Sequence, residues 1–173
     1  MTSRHKIRRL LTGAAFSILT ASTVATSASA SDATLAGRAS VIDGDTIEIQ
    51  GERIRLHGID APESSQWCED GAGDRYRCGR DAAFYLDDIL QGKTVECDGR
   101  TRDRYDRLIA VCFFASGGDW IDINATIVNA GHALAYRRYS TDYVSQEQAA
   151  EAAGRGMWQG PFEAPWDWRR ANR

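Results

Sequence analysis

The chain lacks the excess of positive charge that marks many nucleic-acid-binding proteins. Its 173 residues contain 21 Lys and Arg against 24 Asp and Glu, which gives a formal net charge of −3. Four of the basic residues fall in the first 30 residues, which hold no acidic residue, so the rest of the chain is more acidic still. Binding of a polyanion through overall positive charge is therefore excluded, and such a partner would need a local basic site, a metal ion, or both.

The chain also lacks a hydrophobic run long enough to span a membrane. Basic residues at positions 4–9 precede an apolar run at 10–21, and small residues follow up to Ala28-Ser29-Ala30. The apolar run is well short of the ~20 residues that a span needs. A basic start, a short apolar run and an A-x-A end are typical of a cleaved export signal. We therefore predict a signal peptide, no membrane anchor after its cleavage, and a periplasmic or secreted mature protein that begins near Ser31.

No pair of cysteines has the C-x-x-C spacing of many zinc sites. The chain has four cysteines, Cys68, Cys78, Cys97 and Cys112. An even number of cysteines in an exported chain favours two disulfide bonds over a metal site. Four cysteines allow three different pairings.

A predicted β-hairpin selects one of these pairings. Residues 93–99 and 107–114 both have strand-like composition, and we centre the turn between Arg104 and Tyr105. In that register Cys97 lies opposite Cys112. Directly opposed Cα atoms in antiparallel strands are ~4.5–5.5 Å apart, which is within disulfide range. We therefore predict the disulfide bonds Cys97–Cys112 and Cys68–Cys78.

The order of apolar residues and turn residues predicts an α+β fold. Hydrophobic residues make up 43% of the chain and charged residues 26%, which is an ordinary globular mix and excludes a disordered or fibrous chain. Five short strands with helices between and after them predict a small closed β-barrel that carries helices. The predicted strands are 39–43, 46–50, 53–59 and the two strands of the hairpin, and the predicted helices are 81–90, 121–130 and 141–153.

The same pass along the chain predicts its domain organisation. We expect a signal peptide at residues 1–30 and one globular domain at residues 31–160. A tail rich in Trp and Pro follows at residues 161–173. We interpret its tryptophans as residues that pack against the barrel.

Three clusters of charged residues lie near the ends of predicted strands. They are DGDT at residues 43–46, RLHGIDAPE at residues 55–63 and RTRDRYDR at residues 100–107. Each has an ordinary structural interpretation when taken alone, because Asp-Gly between strands is a common tight turn and an arginine run is usually a solvated surface. Together they supply the carboxylates and guanidiniums that hydrolysis of a phosphodiester requires.

The residue types suggest a role for each member of these clusters. Asp45 and Asp60 lie at the ends of neighbouring strands, so both carboxylates can approach one hard divalent cation such as Ca²⁺. Glu63 lies just beyond and can hold or deprotonate a water molecule. Arg55 and Arg107 can each bind a phosphate through two hydrogen bonds. A cation, a base and two guanidiniums offset the charge that develops during attack on a phosphodiester.

The three motifs, in this order and spacing, resemble those of the staphylococcal nuclease-like family. The resemblance extends from about residue 36 to residue 159. It implies an OB-fold barrel of five strands with three helices. It also implies a Ca²⁺-dependent nuclease of the micrococcal nuclease type, which cleaves the 5′ P–O bond of single-stranded or unpaired DNA and RNA and leaves 3′-phosphates. We expect the protein to act as a monomer.

The resemblance also assigns roles to individual positions. It implies that Asp45, Asp60 and the backbone carbonyl of Ala61 hold the calcium ion, and that Glu63 activates water. The phosphate and transition-state arginines are then Arg55 and Arg107. The positions implied for nucleotide contact are Arg104, Tyr105, Tyr136 and Tyr139.

One position departs from the family pattern, and two other functions compete with the nuclease. Asp106 stands immediately before Arg107, where the family motif has Gly, so its carboxylate could tune Arg107 or compete for it.

The chief alternative to the nuclease is an OB-type barrel that binds single-stranded nucleic acid without cleaving it. A third candidate is an OB-type domain that binds an oligosaccharide or a protein. The joint presence of the carboxylates and both arginines favours the enzyme.

Overall fold

The computed structural model describes residues 34–172. The predicted signal peptide and the predicted start near Ser31 lie outside these residues. Among the residues described, no helix is long and apolar enough to cross a membrane. The strands are β1 (Thr34–Gly37), β2 (Ala39–Asp43), β3 (Thr46–Ile49), β4 (Glu52–Leu56), β5 (Ile59–Asp60), β6 (Cys68–Glu69), β7 (Arg75–Tyr76), β8 (Val95–Arg102), β9 (Leu108–Ser116), β10 (Asp119–Asp122) and β11 (Leu134–Ala135).

A mixed sheet forms the centre of the fold. Its strand order is β1-β8-β9-β4-β3-β2, and β10 pairs with β9. The neighbours pair antiparallel except β4 and β9, which run parallel. Alternate side chains of β3, β4, β8 and β9 point into a core in which Ile47, Ile54 and Val95 are completely buried. The α+β class predicted from the sequence is confirmed.

The predicted third strand is interrupted. It was expected to cover residues 53–59, but β4 ends at Leu56, a turn occupies residues 57–58, and β5 then begins at Ile59. The short β5 leaves the main sheet and pairs with β11. This break places Asp60 opposite Leu134, the first residue of β11.

The predicted hairpin and both predicted disulfides are confirmed. Cys97 is the register partner of Cys112, and the two are bonded. Nearer the turn a β-bulge shifts the register between Gly99 and Thr101, so that Arg102 lies opposite Leu108 and the turn is centred on Tyr105 and not between Arg104 and Tyr105 as predicted. Cys68 is bonded to Cys78 and closes the small β6–β7 hairpin.

Four α-helices and a short 3₁₀ helix at Gly156–Gln159 complete the fold. The α-helices are α1 (Cys78–Leu90), α2 (Ile123–Asn129), α3 (Val144–Ala152) and α4 (Pro165–Ala171). Helix α2 begins later than predicted, because residues 119–122 extend the sheet and Asp122 then caps the helix by accepting a hydrogen bond from Ala125 N at 2.9 Å. Helix α4 adds to the three predicted helices, and it lies in the tail.

Helix α1 begins three residues before the predicted Asp81, at the second cysteine of the disulfide. The early start presses Gly79 against the segment that carries Glu63. A Cβ atom on Gly79 would lie 1.7 Å from the backbone oxygen of Glu63. Only a glycine allows this close approach.

Candidate active site

One cleft gathers almost all of the residues that the sequence singled out. It has a volume of about 1240 Å³ and lies where the ends of β2 and β4 face the hairpin turn of residues 103–107 and helix α4. Of the predicted site residues, only Asp60 is absent from its walls, because Asp60 lies completely buried behind them. The predicted residues that line it are Asp45, Arg55, Ala61, Glu63, Arg104, Tyr105, Arg107, Tyr136 and Tyr139.

Arg55 connects the two predicted calcium carboxylates. Its guanidinium forms an ion pair with Asp45 and donates a hydrogen bond of 2.8 Å to Asp60 Oδ1. The sheet explains this position, because Arg55 on β4 is the register partner of Thr46, which directly follows Asp45. The carboxylate of Asp45 in the β2–β3 turn and that of Asp60 on β5 therefore face one cationic group.

The position of Asp45 depends on the close packing of the turn between β2 and β3. Gly44 in this turn lies against Ala61 and α1, since a Cβ atom there would come within 2.7 Å of Ala61 Cβ. The backbone N–H of Ala61 then donates to Asp45 Oδ2 at 2.8 Å. The DGDT motif is therefore tied directly to the DAPE motif.

Burial has the largest effect on the charge of Arg55. Burial lowers the pKa of the Arg55 guanidinium, and the nearby positive charge of Arg107 acts in the same direction, whereas the charge of Asp60 opposes both. Because Arg55 is only slightly exposed, its contacts with Asp45 and Asp60 are weakly screened by solvent. The site is a pre-formed arrangement of opposite charges.

Glu63 lies at the edge of the cleft with 39% of its side chain exposed. Its loop is fixed by Gln66, which is completely buried and accepts a hydrogen bond of 3.3 Å from Glu63 N. Gln66 in turn donates to the backbone oxygen of Glu163 at 2.7 Å. The loop is thus anchored both to α1 and to the segment that leads into α4.

Arg169 on α4 is a site residue that the sequence analysis missed. It donates hydrogen bonds of 2.6 Å to Asp60 Oδ2 and 2.8 Å to Glu63 Oε1. Burial opposes the charge on Arg169, but the hydrogen bonds that Arg169 donates to Asp60 and Glu63 outweigh it and raise its pKa above the ordinary arginine value. The tail has no motif that points to this contact, because Asp60 lies 109 positions away along the chain.

Arg107 is held by a residue that the sequence analysis did not single out. Asp103 Oδ2 accepts hydrogen bonds from Arg107 Nε at 2.8 Å and pairs with Nη2 at 2.7 Å. Arg107 Nη1 also donates to Thr46 Oγ1 at 3.2 Å, which ties the hairpin turn to β3. Burial of Asp103 opposes its ionised form, but the hydrogen bonds from Arg107 and Tyr105 outweigh this effect and lower the pKa of Asp103.

Asp106 has the backbone conformation that accounts for the glycine of the family pattern. Its φ angle is +64°, in the left-handed region that favours glycine and that Asp tolerates better than most residues. Its carboxylate is highly exposed and lies 3.7 Å from Arg102. Competition with Arg107, which the sequence left open, is therefore absent from the structure, since Arg107 pairs with Asp103.

Aromatic side chains cover two sides of the cleft. Tyr105 is 70% exposed, and the guanidiniums of Arg104 and Arg107 lie 5.5 and 5.6 Å from its ring centre. On the other side, Tyr136 stacks in parallel on Trp166 of α4, with 5.4 Å between the ring centres. Tyr139 contacts the edge of Tyr136 at 4.8 Å. These rings offer stacking surfaces beside the charged residues.

The chain is similar to known proteins over most of its described residues. Residues 53–160 match the family described as Staphylococcal nuclease homologue. The chain is 43% identical to the succinoglycan biosynthesis protein ExoI of Rhizobium meliloti over 127 residues, which span 70% of this chain and 63% of that protein. It is 35% identical to an uncharacterized endonuclease of Escherichia coli over 136 residues, which span 75% of this chain and 80% of the relative.

A third relative bears the name of an enzyme. The chain is 35% identical to a protein of Shigella flexneri named micrococcal nuclease over 147 residues, which span 77% of this chain and 79% of that protein. The three motifs, the mixed sheet and the matched region of residues 53–160 all lead to one assignment. The chain belongs to the staphylococcal nuclease family.

Proposed function

We propose that the protein is a calcium-dependent nuclease that hydrolyses single-stranded or unpaired DNA and RNA. The observation that carries the proposal is the meeting of Asp45, Asp60 and Glu63 with Arg55 and Arg107 at one cleft. At this cleft, carboxylates that can bind a cation or act as a base lie beside guanidiniums that can bind a phosphate. A module that only binds nucleic acid has no need of buried carboxylates at this position.

The two arginines would bind the scissile phosphate. Guanidiniums form paired, charge-assisted hydrogen bonds with phosphate oxygens. Arg107 is oriented by Asp103 and Thr46, and Arg55 is oriented by Asp60 and the backbone oxygen of Ile59 at 3.2 Å. Because these partners fix both side chains before substrate arrives, the guanidiniums can stabilise the charge of the transition state with little reorganisation.

The donor set at the bottom of the cleft fits a calcium ion. Asp45 and Asp60 supply carboxylate oxygens, which Ca²⁺ prefers, and the carbonyl of Ala61 is adjacent. Among residues 34–172 there is no group of three or more His, Cys, Asp or Glu side chains arranged to hold a metal. Water would therefore complete the usual 6–8 ligands. When bound, the ion would supply positive charge to the reacting phosphate.

Glu63 would act as the base. Its carboxylate is accessible from the cleft, while its loop is held by Gln66 and by the contact with Gly79. A carboxylate in this position can take a proton from the attacking water. Attack with loss of the 5′ oxygen would leave 3′-phosphate ends, as in the family that the sequence resembles.

The aromatic surfaces support a preference for unpaired bases. The exposed face of Tyr105 and the Tyr136–Tyr139 pair can stack on bases only when the bases are not paired within a duplex. Arg104 beside Tyr105 adds positive charge for the backbone. We therefore assign substrate contact to Arg104, Tyr105, Tyr136 and Tyr139.

The two disulfides support the proposed export of the protein. Disulfide bonds persist in oxidising compartments such as the periplasm and the extracellular space. Both pairs lie in buried positions and close local loops of the domain. We propose a monomeric protein that degrades nucleic acid in the periplasm or outside the cell.

Cleavage of labelled single-stranded DNA and RNA tests this function. The disulfide-bonded protein is incubated with Ca²⁺, with Mg²⁺ or with a chelator, and Arg107→Ala serves to exclude a contaminating nuclease. We expect cleavage that needs calcium, leaves 3′-phosphates and is lost in the variant. Salt-sensitive binding without cleavage would instead indicate a module that holds single strands.

A further inference from the structure

Helix α4 brings the guanidinium of Arg169 to the proposed calcium ligand and base from outside the family-matched region. The match ends at residue 160, whereas Arg169 lies beyond it. Arg169 bridges Asp60 Oδ2 and Glu63 Oε1, the one a proposed calcium ligand and the other the proposed base. We therefore expect Arg169 to affect both calcium binding by Asp60 and proton transfer by Glu63.

The backbone of α4 is anchored independently of this bridge. Pro165 is buried at the first position of the helix, and Trp166 stacks on Tyr136. Trp166 and Arg169 are three residues apart and so share one face of the helix. The side chain of Arg169 is 31% exposed and lines the cleft. The side chain can therefore change partners while the helix stays in place.

The carboxylate oxygens of the proposed calcium site all accept hydrogen bonds from the protein. Asp45 is occupied by Arg55, Thr46 and Ala61 N, and Asp60 is occupied by Arg55 and Arg169. A divalent cation at Asp60 would compete with a guanidinium for the same oxygen and would repel it. Of the two arginines that contact Asp60, Arg169 has the more exposed side chain. It extends to Asp60 from α4, at the rim of the cleft.

We infer that Arg169 exchanges partners, binding Asp60 and Glu63 without a cation and binding a phosphate of the nucleic acid strand when calcium is present. In the first state it offsets the negative charge of the two carboxylates. In the second state it lies on the cleft wall beside the Tyr136–Trp166 stack, where a strand whose base stacks on these rings presents its backbone. Helix α4 thus forms part of the nucleic acid site. This inference rests on the proposed nuclease function.

Calcium binding in the absence of nucleic acid tests the first state. Titration calorimetry compares the wild-type protein with Arg169→Ala, and with Arg170→Ala as a matched control whose guanidinium pairs with Asp167. Because Arg169→Ala removes a competitor, we expect roughly tenfold tighter calcium binding. Arg170→Ala is expected to match the wild type. Equal affinity in Arg169→Ala and wild type, or no calcium binding by any of the three proteins, would overturn the exchange.

Strand binding in saturating calcium tests the second state. Fluorescence anisotropy follows a labelled single-stranded oligonucleotide with phosphorothioate linkages, at several salt concentrations. Loss of one phosphate contact in Arg169→Ala is expected to weaken binding and to reduce the slope of log affinity against log salt by about 0.7. Arg80→Ala, which removes an exposed guanidinium outside the cleft, is the control and is expected to keep the wild-type slope.

Further outcomes separate this inference from the proposed function. Arg169→Lys keeps a positive charge and is expected to keep the salt slope, which guards against a general loss of folding in the alanine variant. An unchanged slope in Arg169→Ala would overturn the phosphate contact. Neither arm measures cleavage, so a protein that shows both effects without cutting would contradict the nuclease and leave the exchange of Arg169 supported.

Discussion

Asp103 holds Arg107 in place from within the same turn, with 2.7 Å between Arg107 Nη2 and Asp103 Oδ2. The backbone N–H of Arg107 also donates to Asp103 Oδ1 at 3.0 Å. Asp103 is therefore a positioning residue for one of the two proposed phosphate arginines. Asp106, although it is adjacent to Arg107, lies beside Arg102 instead.

Loss of Asp103 should misplace Arg107 and slow the reaction. In Asp103→Ala the guanidinium keeps its charge but loses its main partner, and a small misplacement of a binding group can cost up to about 100-fold in rate. We expect the rate of single-strand cleavage to fall roughly 10- to 100-fold.

Asp106→Gly is the matched control for this prediction. It changes an acidic residue in the same turn, suits the left-handed backbone at this position, and leaves the Asp103–Arg107 pair intact. Its cleavage rate should equal that of the wild type. A large change in Asp106→Gly with no change in Asp103→Ala would show that the roles of the two residues are reversed.

Gly79→Ala should disturb the loop that carries Glu63. A glycine-to-alanine change inside a helix usually stabilises it, but here the new methyl group would overlap the backbone oxygen of Glu63. We expect the free energy of unfolding to fall by about 1–3 kcal/mol and the cleavage rate to fall as well. Urea denaturation and the cleavage assay measure the two effects. A more stable protein with an unchanged rate would contradict the close contact.

The Cys97–Cys112 disulfide should be a major source of stability. It closes a loop with a sequence separation of 15, and the chain-entropy relation assigns about 3 kcal/mol to a loop of this size. The double variant Cys97→Ala, Cys112→Ala should therefore lose about this amount, plus a contribution from lost packing, because both residues are completely buried. Urea denaturation of the variant and the wild type measures the difference, and equal midpoints and slopes would contradict the prediction.

Burial of His132 should make the fold sensitive to acid. Burial lowers the pKa of this histidine below 6.5, with the charge of Asp81 opposing the shift, and the ring stacks on Tyr85 at 4.4 Å. As the pH falls, the unfolded chain therefore takes up a proton at His132 near pH 6.5, whereas the folded chain takes it up only at a lower pH. The contribution of neutral His132 to the free energy of unfolding is complete above pH 6.5 and is lost as the pH falls through the folded-state pKa. His132→Gln should lose less stability than the wild type between pH 8 and pH 5 in urea denaturation.

Local sequence patterns were sufficient to predict much of the fold and the gathering of charged residues. The hairpin register near the cysteines could be predicted from two strand-like segments and the position of the turn between them, and it led to both disulfides. Asp45 directly precedes β3, and Arg55 lies on the neighbouring strand β4 opposite Thr46, so their proximity could be predicted from the strand order. Such contacts are local or follow directly from strand pairing.

The other features of the fold and of the candidate site depend on contacts that no local sequence pattern encodes. Arg169 reaches Asp60 only because α4 folds back over the cleft, and the tail sequence alone indicates no more than packing. The early start of α1 depends on the fit of Gly79 against Glu63, which apolar spacing does not report. The left-handed φ angle of Asp106 accounts for the glycine that the family has at this position, whereas the sequence showed only a difference in charge.

The most direct test of the proposed enzyme compares cleavage and strand binding by the wild type and Glu63→Gln in calcium. Glutamine keeps the size of the side chain and can still accept the hydrogen bond from Arg169, but it cannot take a proton from water. We predict calcium-dependent cleavage by the wild type, a rate about 10²–10⁴-fold lower in Glu63→Gln, and similar oligonucleotide affinity for both. An unchanged rate in the variant, or no cleavage by the wild type, would contradict the account.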